Sequence, residues 1–165
     1  MGKGIGVTMR RQDREITDLN EIFDIIKKCD VCRMAFFGEE YPYIIPLNFG
    51  VTFDGADFKL YFHAAKEGTK LDLMHKNPKV GFEMDCNHKL VMRDNGTCTM
   101  EYESVCGSGI IRIVEEDEKI FGLKVLMAQY HGENENHFPE QVLKMTEVME
   151  LTVKEITGKR LKVKD

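Results

Sequence analysis

The sequence predicts a mainly β fold, an antiparallel barrel of about six strands with peripheral helices. Three observations point there. Apolar runs rich in Val, Ile, Phe and Tyr recur along the chain, mostly joined by hairpin turns such as Gly38-Glu39-Glu40 and Asp54-Gly55. Helical segments sit between these hairpins, which favours an antiparallel barrel over a parallel α/β sheet. The long run MEYESVCGSGIIRIV (100–114) is broken by Gly107 and Gly109, the mark of a bulge or a bend at a barrel corner.

Taken in order, residues 1–13 form a loose arm and DLNEIFDIIKK a helix. Asp18 and Glu21 suit a capping box, and Leu19, Ile22, Phe23 and Ile26 fall at helical spacing. Strands are expected at 31–37, at 43–53 and at 58–64, with Pro46 marking an edge or bulge in the second. A helix from near Glu67 to Lys76 ends at Asn77-Pro78. A strand at 79–85, a polar loop at 86–98 and the glycine-broken strand follow. A helix over 115–130 opens with an acidic turn that suits its dipole. After a loop, a short helix near 139–146 leads to a strand at 147–156, and Thr157-Gly158 turns the chain into a last short strand.

The 165 residues suit a single domain with a full core. A net charge of −5 argues against nucleic acid as the main partner but leaves room for a local basic pocket. No apolar stretch reaches the ~18 residues of a membrane span. The N-terminus lacks a signal-peptide core, and the five cysteines show no framework spacing. A cytoplasmic protein with reduced thiols is expected.

The stretch LYFHAAKEGTKLDLM (60–74) ends a strand in a histidine and two alanines, then starts a helix behind a glycine flanked by lysines. A helix start offers unpaired N–H groups and partial positive charge, and a phosphate fits there. Gly68 admits close approach to the backbone, Thr69 adds a hydroxyl, and Lys66 and Lys70 add full charges. Ala64 and Ala65 leave room for a flat group. From the residues alone, a solvated surface turn stays open as the other reading. No P-loop pattern is present, so nucleotide hydrolysis is not indicated.

LYFHAAKEGTKLDLMHKNPKVGFEMD, preceded by YIIPLNFGV, resembles the pyridoxamine-phosphate-oxidase-like, FMN-binding split-barrel superfamily, in particular its nitroimidazole-resistance branch. The similarity spans about residues 9–163 and includes YESVCGSGIIRIV and the closing ITGK. It implies an antiparallel split β-barrel that forms a homodimer with FMN at the subunit interface. FAD is allowed if the pocket mouth admits the adenylate. By the resemblance, Lys70 falls on the phosphate-binding lysine of the oxidase, and Gly68 and Thr69 on the serine and arginine beside it. His63 and Ala64 fall on its tyrosine-threonine strand end. Pro46, Leu47, Asn48 and Phe49 should run beside the isoalloxazine ring. Ser104, with Val105 next to it, falls where the second subunit approaches the flavin. The chain lacks the oxidase's Arg-Leu-x-Pro ending, so vitamin B6 oxidation is not expected.

His63 at the strand end could donate a proton to a reduced substrate or merely position the cofactor. The leading expectation is a flavin-dependent reductase of a small electron-poor substrate such as a nitroimidazole. The alternative is a module that holds flavin or haem without defined turnover. No metal site is expected: Cys29-Asp30-Val31-Cys32 is a lone C-x-x-C, with Cys86 and His88 as the only further candidates. Tyr102, Tyr130, His131 and His137 could line a substrate pocket, but ordinary packing or a solvated loop is the simpler expectation, whereas Phe138 in HFPE is expected to cap the dimer pocket.

Overall fold

The computed structural model describes residues 9–131 and 137–163. Residues 1–8 of the expected arm, and 132–136 of the loop before the short helix, lie outside that description. A 3-10 turn (Gln12–Arg14) leads to β1 (Glu15–Ile16), α1 (Leu19–Lys28), β2 (Cys32–Phe36), β3 (Tyr43–Leu47), β4 (Gly50–Phe53) and β5 (Phe58–Ala65). α2 (Thr69–Lys76), β6 (Lys79–Met92), β7 (Cys98–Ile113), α3 (Lys119–His131), α4 (Glu140–Met145) and β8 (Thr146–Leu161) complete it.

Every ladder is antiparallel, in the order β3-β2-β6-β7-β8-β5-β4, with β1 added to β8. β3 and β4 stand at opposite ends of that order, yet Asn48 and Phe49 alone join them. Three Cα–Cα steps span at most about 11 Å, so the sheet must curl until its two edges meet. No ladder joins β3 to β4 among the described residues, and the barrel is split at this corner. The expected antiparallel split β-barrel is therefore what the chain forms, with eight strands rather than about six.

The barrel interior holds Met34, Phe36, Phe49, Leu60, Phe62, Met84, Met149 and Leu151, all essentially excluded from water. α1 packs its Ile22, Ile25 and Ile26 into the same core. Asp18 caps that helix by accepting from the amides of Asn20 and Glu21. Glu21 does not complete a capping box; its carboxylate pairs with Arg160. A smaller cluster of Val114, Leu123 and Val148, joined by Phe138 and Leu143, lies under α3 and α4. Within one copy Phe138 packs against this cluster.

Four sequence expectations change. The strand expected over 43–53 breaks at the corner into β3 and β4. The polar loop expected over 86–98 is mostly strand, because β6 and β7 run on as a two-stranded arm that turns only at Asp94-Asn95-Gly96. The helix expected from 115 begins at Lys119; Glu118 instead bonds back to the amide of Glu115 and to Arg112. No turn forms at Thr157-Gly158, and β8 runs through to Leu161. Gly158 serves close packing, since a Cβ there would lie 2.9 Å from Ile22 Cγ1.

Candidate functional site

The strand end and the helix start singled out in the sequence form one continuous surface feature. His63 is exposed and lies opposite Val148 of β8; Ala65 is exposed opposite Thr146, and Ala64 between them turns inward. Gly68 has φ +135°, a backbone conformation L side chains rarely adopt, and a Cβ there would meet nothing within 4 Å. That turn is consequently strained for any other residue but sterically open on its outer side. The Gly68 carbonyl accepts from Leu71 and Asp72 as the first intrahelical bonds. The amides of Thr69 and Lys70 therefore stand at the free start of α2.

The two lysines differ. Lys66 Nζ lies 3.9 Å from Glu147 Oε1, so part of its charge is already answered. Lys70 is half-buried and has no ion pair among the described residues. Its ammonium, the Thr69 hydroxyl and two helix-start amides are the groups of this turn that could meet an anion, a candidate cradle.

The split corner leaves the β4–β5 ladder at the end from which β5 runs on toward this turn. Gly50 pairs with Tyr61 as the last rung of the β4–β5 ladder, two residues before His63. Pro46 and Asn48 are exposed, Leu47 is half-buried and Phe49 points into the core. Only the backbone and Asn48 of this segment are free to meet a polar ligand. Asn48-Phe49 and His63 thus leave the β4–β5 ladder at the same end.

Ser104 and Val105 are elsewhere. Ser104 pairs with Lys159 of β8, whereas His63 pairs with Val148 of the same strand, eleven residues away. At about 3.3 Å per residue that is on the order of 30 Å along the strand. Ser104 is half-buried on the outer face of β7, and Val105 is a core residue that can offer only its backbone. Ser104 cannot join the cradle within one copy.

The outer face near Ser104 carries an ion cluster that the sequence does not announce. Arg33 of β2 pairs with Glu83 and Asp85 of β6, and His88 Nε2 lies 2.7 Å from Asp85. Burial, with Asp85 beside it, pushes the Glu83 carboxyl up against the pull of Arg33. The C-x-x-C offers no reactive thiol. Cys29 and Cys32 are buried, which pushes both thiols far up, and neither is a thiolate near neutrality. Among the described residues no group of three His, Cys, Asp or Glu could hold a metal ion.

A curled antiparallel sheet, split at one corner and carrying an open helix start beside it, defines the split-barrel class. Residues 18–160 match the pyridoxamine 5'-phosphate oxidase family, and the chain belongs to it, within the superfamily of oxidase-like split barrels. A candidate 5-nitroimidazole antibiotic resistance protein from Bacteroides thetaiotaomicron is 28% identical over 88% of this chain and 86% of its own, with a TM-score of 0.78. The FAD and heme binding protein from Mycobacterium smegmatis reaches 0.78 at 15% identity, over 91% of this chain and 74% of its own. The flavocytochrome Anf3 from Azotobacter vinelandii reaches 0.77 at 15% identity, over 96% and 75%. At that identity the last two share the fold. No curated protein sequence matches the chain. No helix among the described residues is long and apolar enough to cross a membrane.

Proposed function

We propose that the chain is a flavin-dependent reductase that holds FMN at the seam between two copies and reduces a small electron-poor compound such as a nitroimidazole. The observation that carries this reading is the open turn of Gly68, Thr69 and Lys70, reached from the same end of the β4–β5 ladder as the Asn48 corner. A phosphate at the cradle and a flat polar ring at the corner match what those groups offer. Bound flavin would supply the electron transfer. This chain's residues would do the rest: Lys70, Thr69 and the helix-start amides hold the phosphate, and Lys66 adds charge. Ala64 and Ala65 leave space along the strand, while Asn48 and the backbone of Pro46, Leu47 and Phe49 meet the ring edge. His63 would offer an imidazole N–H at the open side for positioning or for proton delivery.

Support for a pair of copies comes from the distance between Ser104 and the cradle, which a second chain would remove. The β2–β3 hairpin also displays Phe37 and Ile44, 62% and 65% exposed, an apolar surface that a second copy would cover. Five free cysteines suit a reducing cytoplasm. Oxidation of a B6 phosphate is disfavoured, because Arg160, the arginine of the closing segment, is bound to Glu21 and Glu103.

Purified protein should be yellow and release a compound with the mass of FMN. A colourless protein that takes up neither FMN nor FAD overturns the reading. The haem and FAD named for two structural neighbours keep a second reading in view, a binding module without turnover. A Soret band on adding haem, with loss of flavin, would favour it.

Glu147→Gln is expected to tighten FMN binding about two- to threefold by freeing Lys66, a gain that shrinks as salt rises. Fluorescence titration reads it. Unchanged affinity would remove Lys66 from the phosphate site.

A further inference from the structure

The corner that joins β3 to β4 has no ladder partner of its own, so something else must set its geometry. α3 does. The Tyr130 hydroxyl accepts from the Phe49 amide at 3.0 Å and donates to the Asp30 carbonyl at 2.8 Å. One oxygen thus ties the end of α3, the corner and the segment before β2. The next residue, Gly50, sits against the α3 backbone, since a Cβ there would lie 2.3 Å from the Val125 carbonyl oxygen. Below the corner Phe49 is locked in the core, and above it the Asn48 side chain stands exposed with no partner among the described residues.

We propose that Tyr130 is a positioning residue for the cofactor ring: its hydroxyl fixes the backbone of Asn48-Phe49 in the orientation that the ring edge requires. This rests on the flavin reading above. Without the hydroxyl, the Phe49 amide is an orphan donor and the corner is free to rotate toward another acceptor. The phosphate cradle belongs to β5 and α2 and does not touch Tyr130. Loss of the hydroxyl should therefore weaken binding of the ring and leave the gain from the phosphate intact.

Neighbouring Gln129 provides the control. Its Nε2 donates to the carbonyls of Ile26, Lys27 and Cys29, which caps the end of α1 without reaching the corner. The experiment titrates flavin-free wild type, Tyr130→Phe and Gln129→Met with riboflavin and with FMN, well below all three melting temperatures. Tyr130→Phe keeps the aromatic ring and its packing. It should weaken both ligands by the same factor, about tenfold, and shift the visible absorption of the bound flavin. Gln129→Met should lower the melting temperature and change neither affinity. Wild-type riboflavin affinity in Tyr130→Phe, or an equal loss in Gln129→Met, overturns the inference alone. A wild-type protein that binds neither ligand overturns the flavin reading and this inference with it.

Discussion

Lys70→Ala is expected to weaken FMN binding roughly 10- to 100-fold and to leave riboflavin binding nearly unchanged. The ammonium stands at the second position of α2, where a bound phosphate also receives the helix-start amides. It is half-buried and has no ion pair among the described residues, so its full charge is available. A charge-assisted hydrogen bond in such a place contributes about 1.5–3 kcal/mol, and each 1.4 kcal/mol is a factor of ten in affinity. The parallel Lys66→Ala change should have a smaller effect, because Glu147 already takes up part of that charge. Riboflavin lacks the phosphate and is the internal reference. Fluorescence quenching of each ligand measures the ratio, and an FMN-to-riboflavin ratio equal to wild type would remove Lys70 from the anion site.

The legible parts of this molecule were those whose signals are local. Asp18 before Leu19, Ile22 and Ile26 announces α1 because a cap and a helical apolar stripe sit within nine residues. The turn from β5 into α2 was legible for the same reason: strand end, glycine and helix start are contiguous. The break at Asn48-Phe49 was not, since Phe49 stays buried through the corner and the apolar pattern runs on unbroken. The partner that takes the Phe49 amide at the bend is the Tyr130 hydroxyl, 81 residues away in sequence. The arm of β6 and β7 was missed because both its faces meet water. Leu90, Met92 and Met100 are exposed, and no core-facing alternation marks the strands. The acidic run at 115–118 looked like a helix start, but the Arg112 guanidinium takes the Glu118 carboxylate, holding it at about 2, and the helix begins one residue later. Ser104 carries no signal of its own; only the family resemblance points to it, and only a second copy would bring it to the proposed cradle.

The largest loss of stability is expected from Glu150→Ala, which removes the carboxylate that joins β5, β7 and β8 beneath α3. Glu150 is only 4% exposed. Its Oε2 accepts from Tyr61 Oη at 2.9 Å and Lys59 Nζ at 3.2 Å, and its Oε1 from Arg112 Nε at 3.2 Å. Lys59 and Arg112 have heads near half exposed, and Arg112 retains Glu118, so both can be rehydrated. Tyr61 is buried, and its hydroxyl would lose this acceptor. The expected cost is therefore about 2–4 kcal/mol, somewhat below that of breaking a fully enclosed pair. For a chain of this size that is a fall of roughly 5–15 °C in melting temperature. The pH dependence follows from the same contacts. Burial alone pushes the Glu150 carboxyl up, but the bonds from Tyr61 and Lys59 and the charge of Arg112 outweigh it, and the carboxyl titrates below its usual range. A carboxyl depressed in the folded state contributes its stability above the unfolded value, near 4.3, and loses it as pH falls through the lower folded value. The melting-temperature gap between wild type and Glu150→Ala should thus be widest at neutral pH and narrow on acidification below about pH 4. A gap that stays constant across that range would show that the carboxylate is held by packing rather than by its cations. Tyr61 lies two residues before His63 on β5, so a neutral-pH loss large enough to loosen that strand should also be read as weaker FMN binding, with riboflavin affected in equal proportion.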